Sequence, residues 1–200
     1  MISDKPDKSG KPDKAKGRRQ GPRKVSAGYL ERAALHYLGR FSTTEANLRA
    51  VLERKIRRRN EENAPPTDEQ LGWVDAVVAK CVSYGYVDDA TYARSRVDTL
   101  IRKGKPTRMI AQDLRYKGVP TEIADVTMRA INEDNERDPD RQAAAAYVRR
   151  RRFGAFRRAD RDVEGKLDKE KAAMMRAGFS YGLVAEMLSL SEDEILDLLP

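Results

Sequence analysis

From Gly28 onward, apolar residues recur every three or four positions, and this spacing restricts the fold more than any other feature of the sequence. The first two stretches that show it have apolar side chains at Leu30, Ala34, Tyr37 and Leu38, and then at Leu48, Val51, Leu52 and Ile56. No stretch sustains the alternation of apolar and polar residues, rich in β-branched side chains, that is typical of strands. The sequence therefore predicts an all-α protein.

Helix starts and stops are also marked in the sequence. The pattern predicts ten helices, at residues 28–39, 43–59, 68–84, 88–103, 107–117, 121–135, 139–152, 166–177, 180–189 and 191–199. Three segments match the capping box, in which the N-cap and third helical residues satisfy each other's backbone N–H groups: STTE (42–45), TDEQ (67–70) and SEDE (191–194). The expected first-turn prolines are Pro106, Pro120 and Pro139, and the expected stop glycines are Gly39, Gly104, Gly118 and Gly178.

The second half of the chain contains an internal repeat. LRYKGVPTEIADVTM (114–128) aligns with MMRAGFSYGLVAEML (174–188) at an offset of about 60 residues, and LERKI (52–56) takes the matching place about 62 residues earlier. The repeat predicts three three-helix modules, at about 28–84, 88–135 and 139–189, followed by a short acidic helix at 191–199. Each module is expected to be too small to bury its own faces, so that it must stack on a neighbour.

Positive charge is unevenly distributed along the chain. Residues 1–24 carry a net charge of +6 and lack apolar periodicity, which predicts a disordered basic arm that acts either as a solubilising tail or as a non-specific DNA tether. The remaining residues carry only +2, with basic runs at 54–59 and 149–158 and an acidic stretch at 186–200. Separate basic and acidic faces suit contact with a polyanion on one side and with a protein on the other.

The compartment is predicted from cysteine content and hydropathy. Cys81 is the only cysteine, which excludes an internal disulfide and suits a reducing compartment. The first residues lack the apolar region of a secretory signal, and no apolar run approaches the ~18 residues that a membrane span requires. A cytoplasmic protein without membrane contact is expected.

The segment GYVDDATYARSRV (85–97) places two carboxylates side by side, which could mark an acid/base pair, a metal site or a helix start. No histidine, third acid or glycine-rich phosphate loop stands nearby, and an apolar helical face follows directly, so Asp88 is predicted as an N-cap and Asp89 as the first helical residue. His36, the only histidine, is interpreted as a partly buried structural residue and Cys81 as a core residue. No catalytic residue, metal site or cofactor is expected, and the chain is not predicted to be an enzyme.

Arginines and lysines supply the candidate site. YVRRRRFGAFRR (147–158) interleaves six arginines with two phenylalanines that either stack on bases or pack inward. A second basic stretch (94–118) surrounds a helix–turn–helix, although KGKPTRM fits the turn of a DNA-reading motif poorly. The candidate contact residues are Arg94, Arg102, Lys103, Lys105, Arg108, Arg115, Lys117, Arg149, Arg150, Arg151, Arg152, Arg157 and Arg158.

Four segments in this order resemble the RecX family of bacterial recombination regulators: ALHYLGRFSTTEANLRAVLERK (34–55), GYVDDATYARSRV (85–97), IAQDLRYKGV (110–119) and MMRAGFSYGLVAEML (174–188). The resemblance spans residues 28–189, and the pattern Gly-Tyr-x-Asp-Asp-x-x-x-Ala is its most specific part. It implies tandem three-helix repeats stacked into an elongated, curved body. The basic arm and the loops at 60–66 and 157–165 depart from the family pattern.

The resemblance also implies a function. Members bind the RecA recombinase, chiefly its filament on single-stranded DNA, and restrain its ATPase, strand-exchange and coprotease activities without catalysis of their own. The basic residues on the predicted helices at 88–103, 107–117 and 139–152 would then contact acidic protein groups, DNA phosphates or both, and a monomer is expected. The alternative is a non-specific DNA-binding protein without a recombinase partner.

Overall fold

The computed structural model describes residues 24–133, 138–158, 160 and 165–199. Within these ranges the chain forms ten α-helices and no strand: α1 Ala27–Leu38, α2 Glu45–Arg57, α3 Asp68–Ser83, α4 Asp89–Arg102, α5 Thr107–Tyr116, α6 Thr121–Asn132, α7 Pro139–Arg151, α8 Lys166–Ala177, α9 Tyr181–Ser189 and α10 Glu192–Asp197. Two 3-10 turns, Glu61–Asn63 and Gly154–Phe156, complete the helical structure. The all-α prediction is confirmed, whereas the predicted disordered arm lies outside the described residues apart from Lys24.

Most predicted helix starts are observed, and the exceptions have structural reasons. The capping boxes of α3 and α10 are both present, with N-caps Thr67 and Ser191. The box predicted at STTE is wrong: Thr44 is the N-cap of α2 and accepts from the Asn47 N–H at 3.1 Å, so that Glu45 is the first helical residue. Pro139 occupies the first turn of α7 as expected, whereas Pro106 and Pro120 are the N-cap residues of α5 and α6, directly before the first helical residue.

The helices group in threes, and their hydrophobic residues form two separate cores. Helices α1, α2 and α3 enclose the first core, which includes Leu30, Leu52 and Val78. The second core is shared by α4–α6 and by α7–α10, and it runs from Ala93 to Ile195. The first three-helix unit thus buries its own apolar faces, which differs from the expectation that every module depends on its neighbour. We call α1–α3, α4–α6 and α7–α9 the first, second and third units.

The Asp88–Asp89 doublet caps two different helices. Asp88 is the N-cap of α4, accepting from the Ala90 and Thr91 N–H groups at 2.9 and 3.1 Å, and a further bond from the Thr91 hydroxyl lowers the pKa of this carboxyl. Asp89 begins α4 as predicted, but it is buried, and its Oδ1 accepts the Glu45 N–H at the start of α2 at 3.0 Å. Burial raises the pKa of Asp89. Both carboxylates are therefore engaged as helix caps.

The joint between the first and second units is completed by two more contacts at the start of α2. The Thr44 hydroxyl donates to the Lys117 carbonyl at 2.7 Å. Beside it, Gly118 has φ +76° and approaches Ala46 so closely that an added Cβ would lie 2.6 Å from the alanine Cβ. Only glycine fits here, because other residues would combine a left-handed backbone with a clash.

The joint between the second and third units repeats this arrangement. Asp138 caps its own helix, α7, while Asp140 Oδ1 accepts the Thr107 N–H at the start of α5 at 2.7 Å and its Oδ2 accepts the Thr107 hydroxyl at 3.0 Å. Gly178 then lies against Arg108, where an added Cβ would be 2.7 Å from the arginine Nε. In each joint, the first helix of the later unit caps the second helix of the earlier unit, and a glycine turn covers that helix's second residue.

Candidate interaction surface

The sequence of α7 confines its polar side chains to the two ends of the helix. Residues 143–148 are all buried between the neighbouring helices, so the helix is covered on every side over almost two turns. Its last turn emerges with Arg149, Arg150 and Arg151, where positive charge complements the negative end of the helix dipole. Arg152 then ends the helix with a left-handed backbone, φ +57°. The buried middle of α7 is thus followed by four consecutive exposed arginines at the C-terminal end of the helix.

Three of these arginines meet Arg102 across a shared concavity. Arg102, from the end of α4, lines a groove of about 560 Å³ together with Arg149, Arg150 and Arg152, and Leu199 closes one side. We call these four residues the arginine groove. Because α4 and α7 pack side by side through the second core, residues about fifty positions apart in sequence place their charges at one surface. No carboxylate among the described residues lines the groove.

The aromatic residues next to the arginine groove point inward. Tyr147 is buried, and its ring centroid is 5.9 Å from the Arg150 guanidinium carbon and 5.6 Å from that of Arg151, within the range of cation–π attraction. Phe153 packs edge-on against Tyr147 with 6.0 Å between ring centroids, and Phe156 is packed against the second core. Of the two alternatives for the phenylalanines, the structure supports inward packing, because both rings pack against the second core.

Arg157 and Arg158 differ from the preceding arginines. Arg157 forms two hydrogen bonds to Glu170 on α8, Nε to Oε1 at 3.0 Å and Nη2 to Oε2 at 2.8 Å, and this carboxylate is only 1% exposed. The Gly154 N–H also donates to Glu170 Oε2 at 3.1 Å. Arg157 is therefore committed to the fold and is removed from the proposed contact residues. Arg158 is well exposed and pairs with the exposed Asp160 at 3.1 Å.

Arg94 extends the basic surface along α4. It is exposed, donates to the Thr91 hydroxyl at 3.0 Å and lines a groove of about 580 Å³ between α4, α6 and the start of α7. Arg102 lines this groove as well as the arginine groove, so that the two are adjacent. The groove is partly apolar, with Val126 and Ile131 opposite the two arginines.

The remaining candidates lie on or near α5, apart from the arginine groove. Lys103, Lys105, Arg108 and Arg115 are exposed and Lys117 is half-buried. Lys105 borders a small groove with Met109 and Tyr116. Arg108 also packs at the joint with the third unit, as described above. The structure thus brings five of the candidates together in adjacent grooves, namely Arg94, Arg102, Arg149, Arg150 and Arg152. The candidates on or near α5 line neither of these grooves.

Sequence reasoning missed two features near α5. Tyr116 is 85% exposed, with the Lys117 ammonium 5.6 Å from its ring centroid, and alternating basic residues around it gave no signal for its exposure. Arg96 is paired with Asp113 through two bonds of 2.7 and 2.9 Å, and this pairing lowers the pKa of Asp113. Arg96 therefore joins α4 to α5 and takes no part in the exposed basic surface.

His36 and Cys81, both predicted to be structural residues, differ in their burial. Cys81 is buried in the first core as predicted, and burial raises the pKa of its thiol, which keeps it protonated. The interpretation of His36 is wrong, because this side chain is exposed on α1 and borders a basic pocket with Arg32 and Lys55. Across the described ranges no three His, Cys, Asp or Glu residues converge as metal ligands, and no helix there is long and apolar enough to cross a membrane.

The sequence and the fold are similar to those of known proteins. Residues 88–128 match the family description "RecX, second three-helix domain". The chain is 41% identical to Regulatory protein RecX of Myxococcus xanthus over 90% of this chain and 95% of that one, and 33% identical to Regulatory protein RecX of Agrobacterium fabrum over 86% and 88%. The crystal structure of RecX from Lactobacillus salivarius has the same fold, with a TM-score of 0.55 at 20% identity over 86% of this chain and 97% of that one.

Fold and surface together define an all-α protein of tandem three-helix units, with an arginine cluster exposed at the ends of α4 and α7. The sequence relatives at 41% and 33% identity are regulatory proteins and extend over nearly the whole chain. The chain belongs to the RecX family of regulatory proteins.

Proposed function

We propose that this protein binds the RecA recombinase and its filament on single-stranded DNA, and that it restrains the ATPase, recombinase and coprotease activities of the filament during DNA repair. The observation that supports this most directly is the arginine groove, in a chain that belongs to a family of regulatory proteins. A recombinase filament on DNA exposes acidic side chains and phosphates, and guanidinium groups pair with both through two parallel hydrogen bonds.

The protein acts in this proposal by docking rather than by catalysis. Its adjacent carboxylates cap helices, its cysteine is buried, and its arginine groove is lined by four arginines and no carboxylate among the described residues. It needs no cofactor. A single cysteine kept as a thiol suits the reducing cytoplasm, where such a recombinase works.

The ATPase of the recombinase on single-stranded DNA, titrated with this protein below and up to equal stoichiometry, tests the proposal. We expect ATP hydrolysis to fall as the protein is added. Arg149→Glu with Arg150→Glu should weaken filament binding at least about tenfold, or about 1.4 kcal/mol, because these residues line the arginine groove. The matched control is Arg57→Glu with Arg58→Glu, which makes the same charge change at the exposed end of α2.

The alternative function is non-specific DNA binding without a recombinase partner, which the positive charge favours. It predicts that the protein lowers ATPase only by sequestering DNA, so that excess single-stranded DNA restores the rate fully. Equal losses from the groove variant and its control would favour this alternative. Inhibition that persists in excess DNA and depends on the groove would contradict it.

A further inference from the structure

A second basic concavity lies on the first unit, away from the arginine groove. It is a pocket of about 410 Å³ between α1 and α2, lined by Lys24, Ser26, Tyr29, Arg32, Ala33, His36, Lys55 and Arg59. We call it the first-unit pocket. It contains four cationic side chains and the only histidine of the chain, and no aspartate or glutamate among the described residues lines it.

Helical spacing brings these charges together. Arg32 and His36 are one turn apart on α1 and project from the same face of that helix. Lys55 lies in the last turn of α2, and Arg59 lies in the turn that follows the C-cap of α2. The opposite faces of the two helices carry the apolar residues of the first core, such as Leu30 and Leu52. With α1 packed on α2 through this core, Arg32 and His36 from α1 and Lys55 and Arg59 from the end of α2 line one concavity.

Two of the pocket's cations, Arg32 and Lys55, are not neutralised by an ion pair among the described residues. The ion pairs described for the first unit are Arg49 with Asp75 and Lys80 with Glu31, and neither involves a pocket residue. Arg32 and Lys55 form no ion pair with any carboxylate in the described ranges. These two cations line one pocket without a counter-ion and repel each other, and an incoming anion relieves that repulsion.

An aromatic–arginine pair lies in the wall of the first-unit pocket. The Arg59 guanidinium carbon lies 3.7 Å from the ring centroid of Tyr29, close enough for the cation to cover the ring face. Tyr29 is itself partly buried against the first core, and its backbone N–H donates to the Ser26 hydroxyl at 3.3 Å. Planar guanidinium groups and aromatic rings are the surfaces on which unpaired bases stack.

From these observations we infer that the first-unit pocket is a binding site for the sugar-phosphate backbone of single-stranded nucleic acid. Arg32, Lys55 and Lys24 contact phosphates, and the Tyr29–Arg59 pair offers a stacking surface to a neighbouring base. A strand with exposed bases uses both features, whereas an acidic peptide uses only the charge. The site is independent of the recombinase and of the arginine groove, and it gives the protein two separate points of contact with a polyanion.

The test measures binding of a fluorescein-labelled single-stranded oligonucleotide to the full chain by fluorescence anisotropy, without recombinase. We expect Arg32→Glu with Lys55→Glu to weaken binding at least about tenfold and to reduce the slope of log K against log salt by roughly 1.4, about 0.7 for each lost phosphate contact. The control, Arg57→Glu with Arg58→Glu, makes an equal charge change on α2 outside the pocket and should weaken binding much less. Circular dichroism and the melting temperature verify that each variant is folded.

Two further sets of variants test whether the first-unit pocket binds the oligonucleotide independently of the arginine groove. When Arg32→Glu and Lys55→Glu are added to the Arg149→Glu, Arg150→Glu variant, they should lower the oligonucleotide affinity by the same factor as in the parent chain, because the two sites are separate. If the Arg32→Glu, Lys55→Glu variant does not fold, Arg32→Gln with Lys55→Gln removes the two charges without reversing them. This variant should still weaken oligonucleotide binding more than Arg57→Gln with Arg58→Gln. Equal losses from pocket and control variants would overturn the site, as would displacement of the oligonucleotide by poly-glutamate at equal charge concentration.

Discussion

Glu170 is a buried carboxylate that is paired with one arginine. Its two oxygens accept the Nε and Nη2 of Arg157 and the Gly154 N–H, which together hold the turn after α7 against α8. Nothing in the sequence distinguishes Arg157 from the five other arginines of residues 149–158, because its partner lies thirteen positions away beyond a loop. The six arginines of residues 149–158 indicated a basic surface. Only the contact with Glu170 in the folded protein distinguishes the structural Arg157 from the exposed arginines.

Replacing Arg157 should therefore be much more damaging than replacing its neighbour. Arg157→Ala leaves the Glu170 carboxylate buried without its counter-ion, which should lower the free energy of unfolding by about 3 kcal/mol. Arg158→Ala removes an exposed ion pair and should change it by less than about 0.5 kcal/mol. Urea unfolding followed by circular dichroism gives both values. Equal effects of the two variants would mean that Glu170 is satisfied without Arg157.

His36 shows where residue-scale reasoning failed. Its neighbours Leu35, Tyr37 and Leu38 suggested a buried position, but Leu35 is itself 47% exposed and α1 turns this edge away from the first core. His36→Gln should change the free energy of unfolding by less than about 0.5 kcal/mol, whereas Cys81→Ala, which opens space in the core, should cost about 1–2 kcal/mol. Thermal unfolding of the two variants distinguishes them. A large loss from His36→Gln would restore the structural role.

At the scale of elements, local signals were sufficient for most of the fold. The helices and the caps at Thr67, Asp88 and Ser191 depend on residues within one turn, and the sequence contains that information. The start of α2 was misplaced because Thr44 and Glu45 find partners in the second unit, at Lys117 and Asp89. A contact between residues 44 or more positions apart cannot be read from helical spacing.

The Arg96–Asp113 pair joins α4 to α5 and makes stability depend on pH. The hydrogen bond from Arg96 holds the pKa of Asp113 below its ordinary value of 3.8, so the unfolded chain takes up this proton first on acidification. The pair is therefore stabilising above that value, and its contribution is lost as the pH falls through the lowered pKa. Asp113→Asn should cost about 1 kcal/mol at pH 7, and the difference from the parent chain should shrink below pH 4. Urea unfolding across this range measures it, and a constant difference would contradict the assignment.

At the scale of the whole molecule, the two separate cores imply that α1–α3 and α4–α10 differ in stability and can unfold separately. The core of α1–α3 contains eleven buried residues, whereas the core shared by α4–α10 contains eighteen, so the first unit has less buried apolar surface to hold it folded. Between the cores lies a joint made largely of hydrogen bonds, from Asp89 to α2 and from Thr44 to Lys117. Such an arrangement couples the first unit to the rest through capping, while the second and third units are coupled through a common core.

Weakening the joint between the first and second units should therefore allow the first unit to unfold while the rest of the protein stays folded. Asp89→Ala removes the acceptor of the Glu45 N–H and should lower the opening free energy of α1–α3 amides by about 1–2 kcal/mol, with α4–α9 amides much less affected. Asp89→Asn keeps an oxygen acceptor and no longer buries a carboxylate whose pKa burial has raised, so it should leave the unit as stable as the parent or more so. Native-state hydrogen exchange of both variants measures the two sets of amides separately. Equal losses throughout the chain in Asp89→Ala would show instead that the three units unfold as one.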